Sequence, residues 1–158
     1  MKIRQQTVCS FEPEIAESLD FYLWLTEKFD SIYEIDTQVT IKKIKYAKGG
    51  AEKTWDARVI PVLDIGPGSL SRDFHQGFYE RESNRWWGSQ KLHKGFLGVF
   101  CLFIHEYSHI LFYWKYQFHK KNWGPHSRPF YDICRHLWRL FSFQDLWQEY
   151  KSSQLIEL

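Results

Sequence analysis

FLGVFCLFIHEYSHILFYW, residues 96–114, is the most apolar stretch of the chain. It is far longer than a typical strand and contains no proline, a combination that favours a buried α-helix, which we predict over residues 92–118. The segment HEYSH, residues 105–109, interrupts the apolar run with polar side chains. The uninterrupted part is therefore shorter than a bilayer crossing requires, and we expect a core helix and no membrane partner.

HEYSH has the pattern of a metal site. Residues four apart lie on the same face of an α-helix, so His105 and His109 can direct two imidazoles at one ion while Glu106 projects beside it. A zinc ion lowers the pKa of its bound water from about 15.7 towards about 7, and a neighbouring carboxylate can take the proton and pass it to a leaving amine. We therefore predict one Zn²⁺ per chain, with Glu106 as general base and acid.

The same pattern also occurs by chance, as a polar patch on a helix with no metal. In this chain the nine residues before HEYSH and the five after it are apolar or glycine. Polar groups in such a setting are costly to bury unless they are satisfied, and one metal ion would satisfy all of them. The surroundings therefore favour the metal over the chance pattern.

A catalytic zinc site usually has three protein ligands and one open position, so a further ligand must follow HEYSH. His119 lies about 15 Å beyond His109 on a continuing helix, which is too far to share an ion unless the helix breaks early. Lys115 stands where the metzincin pattern requires a histidine. Glu149 could act as a gluzincin-type ligand, although nothing around it distinguishes it from a surface glutamate.

His126 fits the role of third ligand better. The loop 120–125 contains glycine and proline and can turn the chain back towards the first helix. His126 then lies at the start of the following helix, where Phe130 can anchor that helix in the core. We predict His105, His109 and His126 as the metal ligands.

HEYSH, followed 17 positions after His109 by HSRPF and an apolar helix, resembles the SprT-like metallopeptidases. That family pairs HExxH on one helix with a third histidine in an H-G-x-x-F segment, and it includes Spartan-type proteases that degrade proteins crosslinked to DNA. The resemblance covers about residues 95–140. It implies a compact zincin-like domain of the minigluzincin type, zinc on the three histidines, and Glu106 as general base and acid.

The sequence departs from the SprT-like pattern at two points. Ser127 replaces the usual glycine, which makes the segment similar also to the H-S-x-x-F form of the YgjP-like metallopeptidases. One cysteine follows the site, so we expect no zinc ribbon. Cys9, Cys101 and Cys134 form an odd, widely spaced set without a CxxC pair, and we expect three free thiols.

The N-terminal half shows a helical pattern and then two strand patterns. Apolar residues at helical spacing after Ser10 predict a helix over residues 12–29. Residues 37–46 and 55–65 are β-branched and roughly alternating, with Gly49 and Gly50 marking the turn between them. Pro61 cannot donate to a sheet, which predicts that the second strand lies at an edge or carries a bulge. Residues 66–94 show no periodic element, and we expect a flap or ordered loop there.

The C-terminal part is helical. Ser127 and Pro129 open a helix whose apolar face includes Phe130 and Leu137, and a short last helix is expected over residues 144–152. The order of elements predicts an α+β fold, a small sheet with an edge strand packed on the long HExxH helix and further helices. With 158 residues, 44% of them hydrophobic, we expect one domain over residues 1–158, with its metal-site core at about 95–140.

The net charge of +2 is unevenly distributed. From Glu12 to Glu34 seven acidic residues stand against one basic residue, Lys28, and from Lys115 to Arg139 six basic residues stand against one acidic residue, Asp132. Such a basic stretch mixed with aromatic residues can contact phosphates and stack bases, although it is equally consistent with a solvated helix face. The candidate nucleic-acid-binding residues are Lys120, Lys121, Arg128, Arg135 and Arg139.

Two functions from different classes are consistent with these observations. The first is a cytoplasmic zinc endopeptidase that binds an extended polypeptide beside the edge strand near residues 59–63, with DNA or a DNA-bound protein as a further partner. The second is a nucleic-acid-binding module whose zinc site is structural or degenerate. A non-proteolytic zinc amidohydrolase would share the same site. The cytoplasm is expected because residues 1–14 lack the apolar run of a secretory signal.

Overall fold

The computed structural model describes residues 2–5, 13–41, 50–52, 61–71 and 73–156. The α-helices and β-strands alternate in the first half, and helices follow in the second. The helices are α1 Pro13–Tyr33, α2 Pro67–Leu70, α3 Gly95–Ile110, α4 Arg128–Leu140 and α5 Phe143–Ile156. The strands are β1 Lys2–Gln5, β2 Gln38–Ile41, β3 Gly50–Glu52, β4 Val62–Ile65, β5 Phe74–His75, β6 Phe78–Glu80, β7 Arg85–Trp87 and β8 Leu92–His93. The predicted α+β class is confirmed.

The main sheet has four strands in the order β1-β2-β4-β3. β1, β2 and β4 run parallel, and β3 pairs antiparallel with β4. The predicted edge position of the strand containing Pro61 is therefore wrong, because β4, the described part of that strand, lies between β2 and β3. β4 also carries no bulge in its pairing with either neighbour. Pro61 precedes β4, so no sheet hydrogen bond of β4 is lost, and its carbonyl accepts from the amide of Gln38.

Two other strand predictions change in the same region. Gly50 begins the edge strand β3, so its assignment to a turn is wrong. Gly49 lies outside the described residues, as do 42–46 and 55–60 of the two predicted strands. The described parts of those strands, β2 and β4, confirm the extended pattern, with alternating burial in β2.

α3 is the central helix of the core. From Gly98 to Ile110 every residue except the half-buried His105 is buried. α1 packs along α3 through large aromatic side chains, and Phe29 contacts Phe103 and Tyr107 at ring-centroid distances of 4.9 and 5.4 Å. This helix is therefore surrounded by protein, which is why the residues before HEYSH are apolar on all sides of the helix rather than on one face.

A buried carboxylate fixes α3 against α1 and the start of β2. Asp30, 5% exposed, accepts hydrogen bonds from the amide of Thr37 at 2.9 Å and from its hydroxyl at 2.7 Å. The hydroxyl of Tyr107 donates to the same carboxylate at 2.7 Å. Because Tyr107 lies within HEYSH, these hydrogen bonds hold the segment of α3 that carries the motif in a fixed orientation relative to α1 and the start of β2.

Residues 66–94 contain short elements rather than the unstructured loop that the lack of periodicity suggested. β5 pairs antiparallel with β8, and β6 pairs antiparallel with β7 in a hairpin. Gly77, just before β6, packs closely against the end of β7, since a Cβ at Gly77 would lie 2.2 Å from the carbonyl oxygen of Trp87. Strands of two or three residues are too short to show a sequence period, so pattern analysis could not find them.

The helix that carries HEYSH begins and ends inside the predicted range 92–118. After Ile110 the backbone continues as a π-helical turn, Leu111–Lys115, and Gln117 adopts a left-handed conformation with φ of 55°. A 3₁₀ turn, Phe118–Lys121, leads to Asn122, also left-handed. These breaks turn the chain back towards α3 and place the loop before α4 beside the motif.

The helical stretch Gly95–Lys115 is long and apolar enough, by length and composition, to cross a membrane. In the folded chain 72% of its most apolar window is buried against protein. A core helix passes the same test, and the packing of α1, α4 and the sheet around α3 accounts for its apolar character.

Candidate metal centre

Three imidazole nitrogens converge at one point beside α3. The Nε2 atoms of His109 and His126 are 3.1 Å apart, and those of His126 and His105 are 3.3 Å apart. One nitrogen from each of the three rings lies within 4.8 Å of the others. Within the described part of the chain, no other group of histidine, cysteine or acidic side chains comes together in this way. The predicted histidines therefore form a cluster that could hold a metal ion.

The donor set fits a tetrahedral ion. With metal–nitrogen bonds of about 2.0–2.1 Å, two ligands of a tetrahedral site are separated by about 3.3 Å. The two Nε2 separations that include His126, 3.1 and 3.3 Å, are close to that value. Three ligands leave one position open, which is the arrangement of catalytic rather than structural sites.

Aromatic side chains hold the three imidazoles in place. Phe130 stacks on the ring of His109 with 4.3 Å between centroids and an angle of 21°. Phe78, at the start of the β6–β7 hairpin, contacts His105 at 5.8 Å and His126 at 5.4 Å. Phe130 is fully buried and lies in the first turn of α4, so it fixes that helix and His126 together, as the sequence predicted.

Ser127 stands where the SprT-like pattern has a glycine, and its backbone conformation shows whether a glycine is needed there. Its backbone is extended, with φ of −89° and ψ of −179°, a conformation open to any residue. A glycine is therefore not required at this position, and serine introduces no backbone strain. Ser127 precedes α4 as its N-cap residue.

The three imidazoles are held in the neutral form that binds metals. Burial, together with the nearby His126, lowers the pKa of His105 to about 3. Burial also lowers the pKa of His109 well below its usual value and, more weakly, the pKa of His126, where Glu80 acts in the opposite direction. Neutral ligands have no protons to lose at neutral pH when a metal binds.

Glu106 follows His105 in α3 and is buried, with 9% of its surface exposed. Its side chain lines a small cavity between α3, the end of β4 and α1, together with Tyr22, Asp64 and Ser69. Burial and the charge of Glu106 raise the pKa of Tyr22 well above its usual value. The carboxylate is thus shielded from bulk water, next in the chain to His105.

The other candidate ligands lie elsewhere. His119 is in the 3₁₀ turn and packs on Tyr113 with 5.4 Å between ring centroids. Glu149, on α5, forms an ion pair with Lys28 of α1. Burial raises the pKa of the Cys101 and Cys134 thiols to about 12, so both remain protonated, and the structure describes both as free.

The candidate nucleic-acid-binding residues are all exposed, but they do not form one uninterrupted patch. Arg128 lies 3.6 Å from Asp132, which lowers the local excess of positive charge. Lys121 borders a groove on one side of α4, whereas Arg135 borders a cavity on the other side. Lys120 donates to Gln117, and Arg139 lies in the last turn of α4.

The aromatic wall formed by Phe74 and Phe78, and the pocket beside it, were not predicted from the sequence. Phe74 contacts His105 at 5.7 Å from β5. The pocket lies between the β6–β7 hairpin and His126. The run FHQGFYE, residues 74–80, carried an aromatic signal but no periodicity that could place it on the site.

Comparison with protein-family models, curated proteins and solved structures finds no match to this chain. The resemblance to the SprT-like metallopeptidases therefore stays a prediction, based on HEYSH and HSRPF. The arrangement of the histidines is an observation independent of that resemblance.

Lowered histidine pKa values predict a loss of stability in acid for the metal-free chain. An unfolded histidine titrates near 6.5, so between pH about 3 and 6.5 the unfolded chain binds more protons than the folded one. The free energy of unfolding should fall below pH 6.5, by up to about 1.4 kcal/mol per pH unit for each of His105 and His109. Urea unfolding at pH 7.0 and 5.5 with a chelator present measures this loss.

A double His105→Gln, His109→Gln variant should show a flatter dependence on pH, while His136→Gln, at an exposed position of α4, should keep the wild-type slope. Equal slopes for the wild type and the double variant would contradict the burial of two neutral imidazoles.

Proposed function

We propose that this chain is a zinc-dependent metallopeptidase, of SprT-like, zincin-type architecture. The observation that carries the proposal is the convergence of three neutral imidazoles from HEYSH and HSRPF, with a buried carboxylate next to the first of them. Zinc suits an all-nitrogen, three-ligand site and, when bound, supplies a Lewis acid that activates water and polarises a carbonyl.

The residues of the site would have separate roles in peptide hydrolysis. His105, His109 and His126 would hold the ion and keep one position open for water or substrate. Glu106 would accept a proton from the attacking water and deliver it to the leaving amine. Its burial supports this role, because a carboxylate in a low-dielectric setting interacts strongly with a proton or charge nearby.

The substrate would be an extended polypeptide paired with the sheet. β3 is one of the two edge strands of the described four-stranded sheet, and it contacts α3, which carries the motif. The substrate strand was expected to pair near residues 59–63, but β4 already has a neighbouring strand on each side. We therefore place the pairing along β3. Main-chain pairing along β3 would bind substrates with little regard to sequence.

Metal analysis coupled to hydrolysis tests this proposal. Protein purified without chelator or added metal should contain about one zinc per chain and should cleave an unstructured protein such as casein. Dialysis against a chelator should remove the metal and the activity together, and added zinc should restore both. Hydrolysis that persists without metal would contradict the proposal. Zinc without hydrolysis of any polypeptide would favour the second candidate function.

That second function is a nucleic-acid-binding module with a structural or degenerate zinc site, and binding of DNA could also accompany proteolysis. Its support is the exposure of Lys120, Lys121, Arg128, Arg135 and Arg139 in the segments flanking His126. The aromatic side chains of Tyr116 and Trp123, 45% and 48% exposed, stand beside Lys121 in the groove along α4. Exposed rings next to cations are the components of a single-strand binding surface.

If single-stranded DNA binds there, its affinity should fall steeply with salt, with a log–log slope of about 0.7 per phosphate contact. Charge reversal at Lys120 and Lys121 should flatten the slope by about 1.4 if each lysine neutralises one phosphate. Reversal at Lys91 and Lys94, exposed lysines outside this surface, serves as the matched control. Fluorescence anisotropy with a labelled oligonucleotide gives both values. No binding at low salt would leave a peptidase with a solvated basic face.

A further inference from the structure

A pocket of about 280 Å³ opens directly beside the histidine cluster. One wall is the turn side of the β6–β7 hairpin, Tyr79 to Glu82, and the other is Gly124, Pro125 and His126. The hairpin enters the site at Phe78, which contacts His126, and the following residues lead outwards from the cluster. A substrate whose scissile carbonyl lay at the histidine cluster would therefore have this pocket within reach of a neighbouring side chain.

The lining of the pocket favours a cation. Its lining residues include Glu80, Glu82 and Arg81, which together carry a net charge of one negative unit. Glu80 is half-buried and accepts a hydrogen bond from Ser83, whereas Arg81 is exposed. A partly desolvated carboxylate acts on a ligand more strongly than an exposed guanidinium screened by water. Among the described residues neither carboxylate forms an ion pair with a Lys or Arg side chain.

Two further features match a long cationic side chain. Tyr79 is 49% exposed and lines the pocket, and an exposed aromatic ring attracts ammonium and guanidinium groups. Gly124 leaves the opposite wall open, since a Cβ there would have Glu82 Oε2 as its nearest neighbour at 4.0 Å. The volume is several times the roughly 30 Å³ of one water molecule, enough for one extended side chain.

We propose that this pocket is a specificity site that binds a lysine or arginine side chain of the polypeptide substrate close to the cleaved bond. The proposal rests on the proposed peptidase function, because the side chain is placed by a substrate held at the histidine cluster. The pocket sets which cationic polypeptides are cleaved fastest, while pairing with β3 remains tolerant of sequence.

Quenched fluorescent peptides test the pocket. The series keeps one sequence and changes a single position among lysine, norleucine and glutamate, and this position is moved across the residues flanking the cleaved bond. Zinc-loaded wild type should show, at one position, kcat/KM on the order of tenfold higher for lysine than for norleucine, and lower still for glutamate. High salt should reduce the difference.

Variants with opposite expected effects make the test specific. Glu80→Gln with Glu82→Gln should bring the lysine-to-norleucine ratio close to one, whereas Arg81→Gln should increase it. Gly124→Leu should narrow the pocket and slow lysine and norleucine peptides alike. Glu27→Gln, at an exposed carboxylate on α1, is the matched control and should keep the wild-type ratio.

The outcomes separate this proposal from the peptidase function. Cleavage with equal rates for lysine and norleucine at every position, or a ratio unchanged in the double glutamine variant, overturns the pocket alone. If wild type cleaves no peptide, the peptidase function fails, and the pocket is then judged by anisotropy of the same peptides on zinc-loaded Glu106→Gln protein. Equal affinity of lysine and norleucine peptides there would overturn the cation pocket as well.

Discussion

Replacing Glu106 with glutamine is expected to lower kcat for peptide hydrolysis by about 10²–10⁴ while leaving zinc bound, because proton transfer by a positioned carboxylate supplies a factor of this size. Glutamine keeps the shape of glutamate but cannot accept a proton from water at neutral pH. The three histidines remain in place, so metal content should be unchanged. Casein hydrolysis and metal analysis on the same preparation measure both quantities.

The matched control for this prediction is Glu149→Gln, which changes an exposed carboxylate on α5 and should retain wild-type turnover. Urea unfolding of the Glu106→Gln protein shows whether the fold is intact, since Glu106 is buried against Tyr22 and Asp64. Turnover that stays at the wild-type level in Glu106→Gln would remove Glu106 from the mechanism. The zinc site would then need a different base.

The central helix and the histidine cluster were accessible to sequence analysis because both depend on local spacing. The run from Phe96 to Ile110 favours a helix, since it is longer than a typical strand and contains no proline. Spacing of four places His105 and His109 on one face whatever the rest of the fold does. Predicting that His126 joins them also required a turn in the loop before it and a buried residue in the helix after it. Gly124 indicated the turn, and Phe130 indicated the buried residue.

The order of strands in the sheet was not accessible in this way. Pro61 predicted an edge because proline lacks a sheet donor, but it lies just before β4 and leaves the ladder intact. Which strand lies at the edge is decided by pairing between β3 and β4, a contact between separate segments that alternation does not encode. The edge matters for function because it is where a polypeptide can add a strand.

The strands β5 to β8 were also not predictable from the sequence pattern. These strands have two or three residues each, and they pack against α3 through β5 and β8 and against α4 through Phe78 and Trp87. Their stability comes from this packing rather than from their own sequence pattern. Phe78 is buried because it covers the histidines, and Tyr79 is exposed because it faces the pocket beside them. Residues that shape the surroundings of a site through long-range contacts become visible only in the folded chain.

Replacing His126 with alanine is expected to weaken zinc binding by at least about a hundredfold. Loss of an outer partner of a metal ligand typically costs about 10–100-fold, and a ligand contributes more. His126 is also the member of the cluster that comes from outside α3, so without it two imidazoles remain on one helix face. Competition with a chromophoric chelator at pH 7 gives the Kd of each protein.

His119→Ala and His136→Ala are the matched controls, because they remove histidines of the neighbouring turn and helix and should keep the wild-type Kd. Unfolding of each metal-free variant separates lost affinity from a lost fold, since the ring of His126 also packs on Phe78 and Phe130. If His126→Ala binds zinc like the wild type while His119→Ala or Glu149→Ala does not, the third ligand is misassigned. The ion would then lie away from the point where the three Nε2 atoms meet, and the pocket beside His126 would no longer border the cleaved bond.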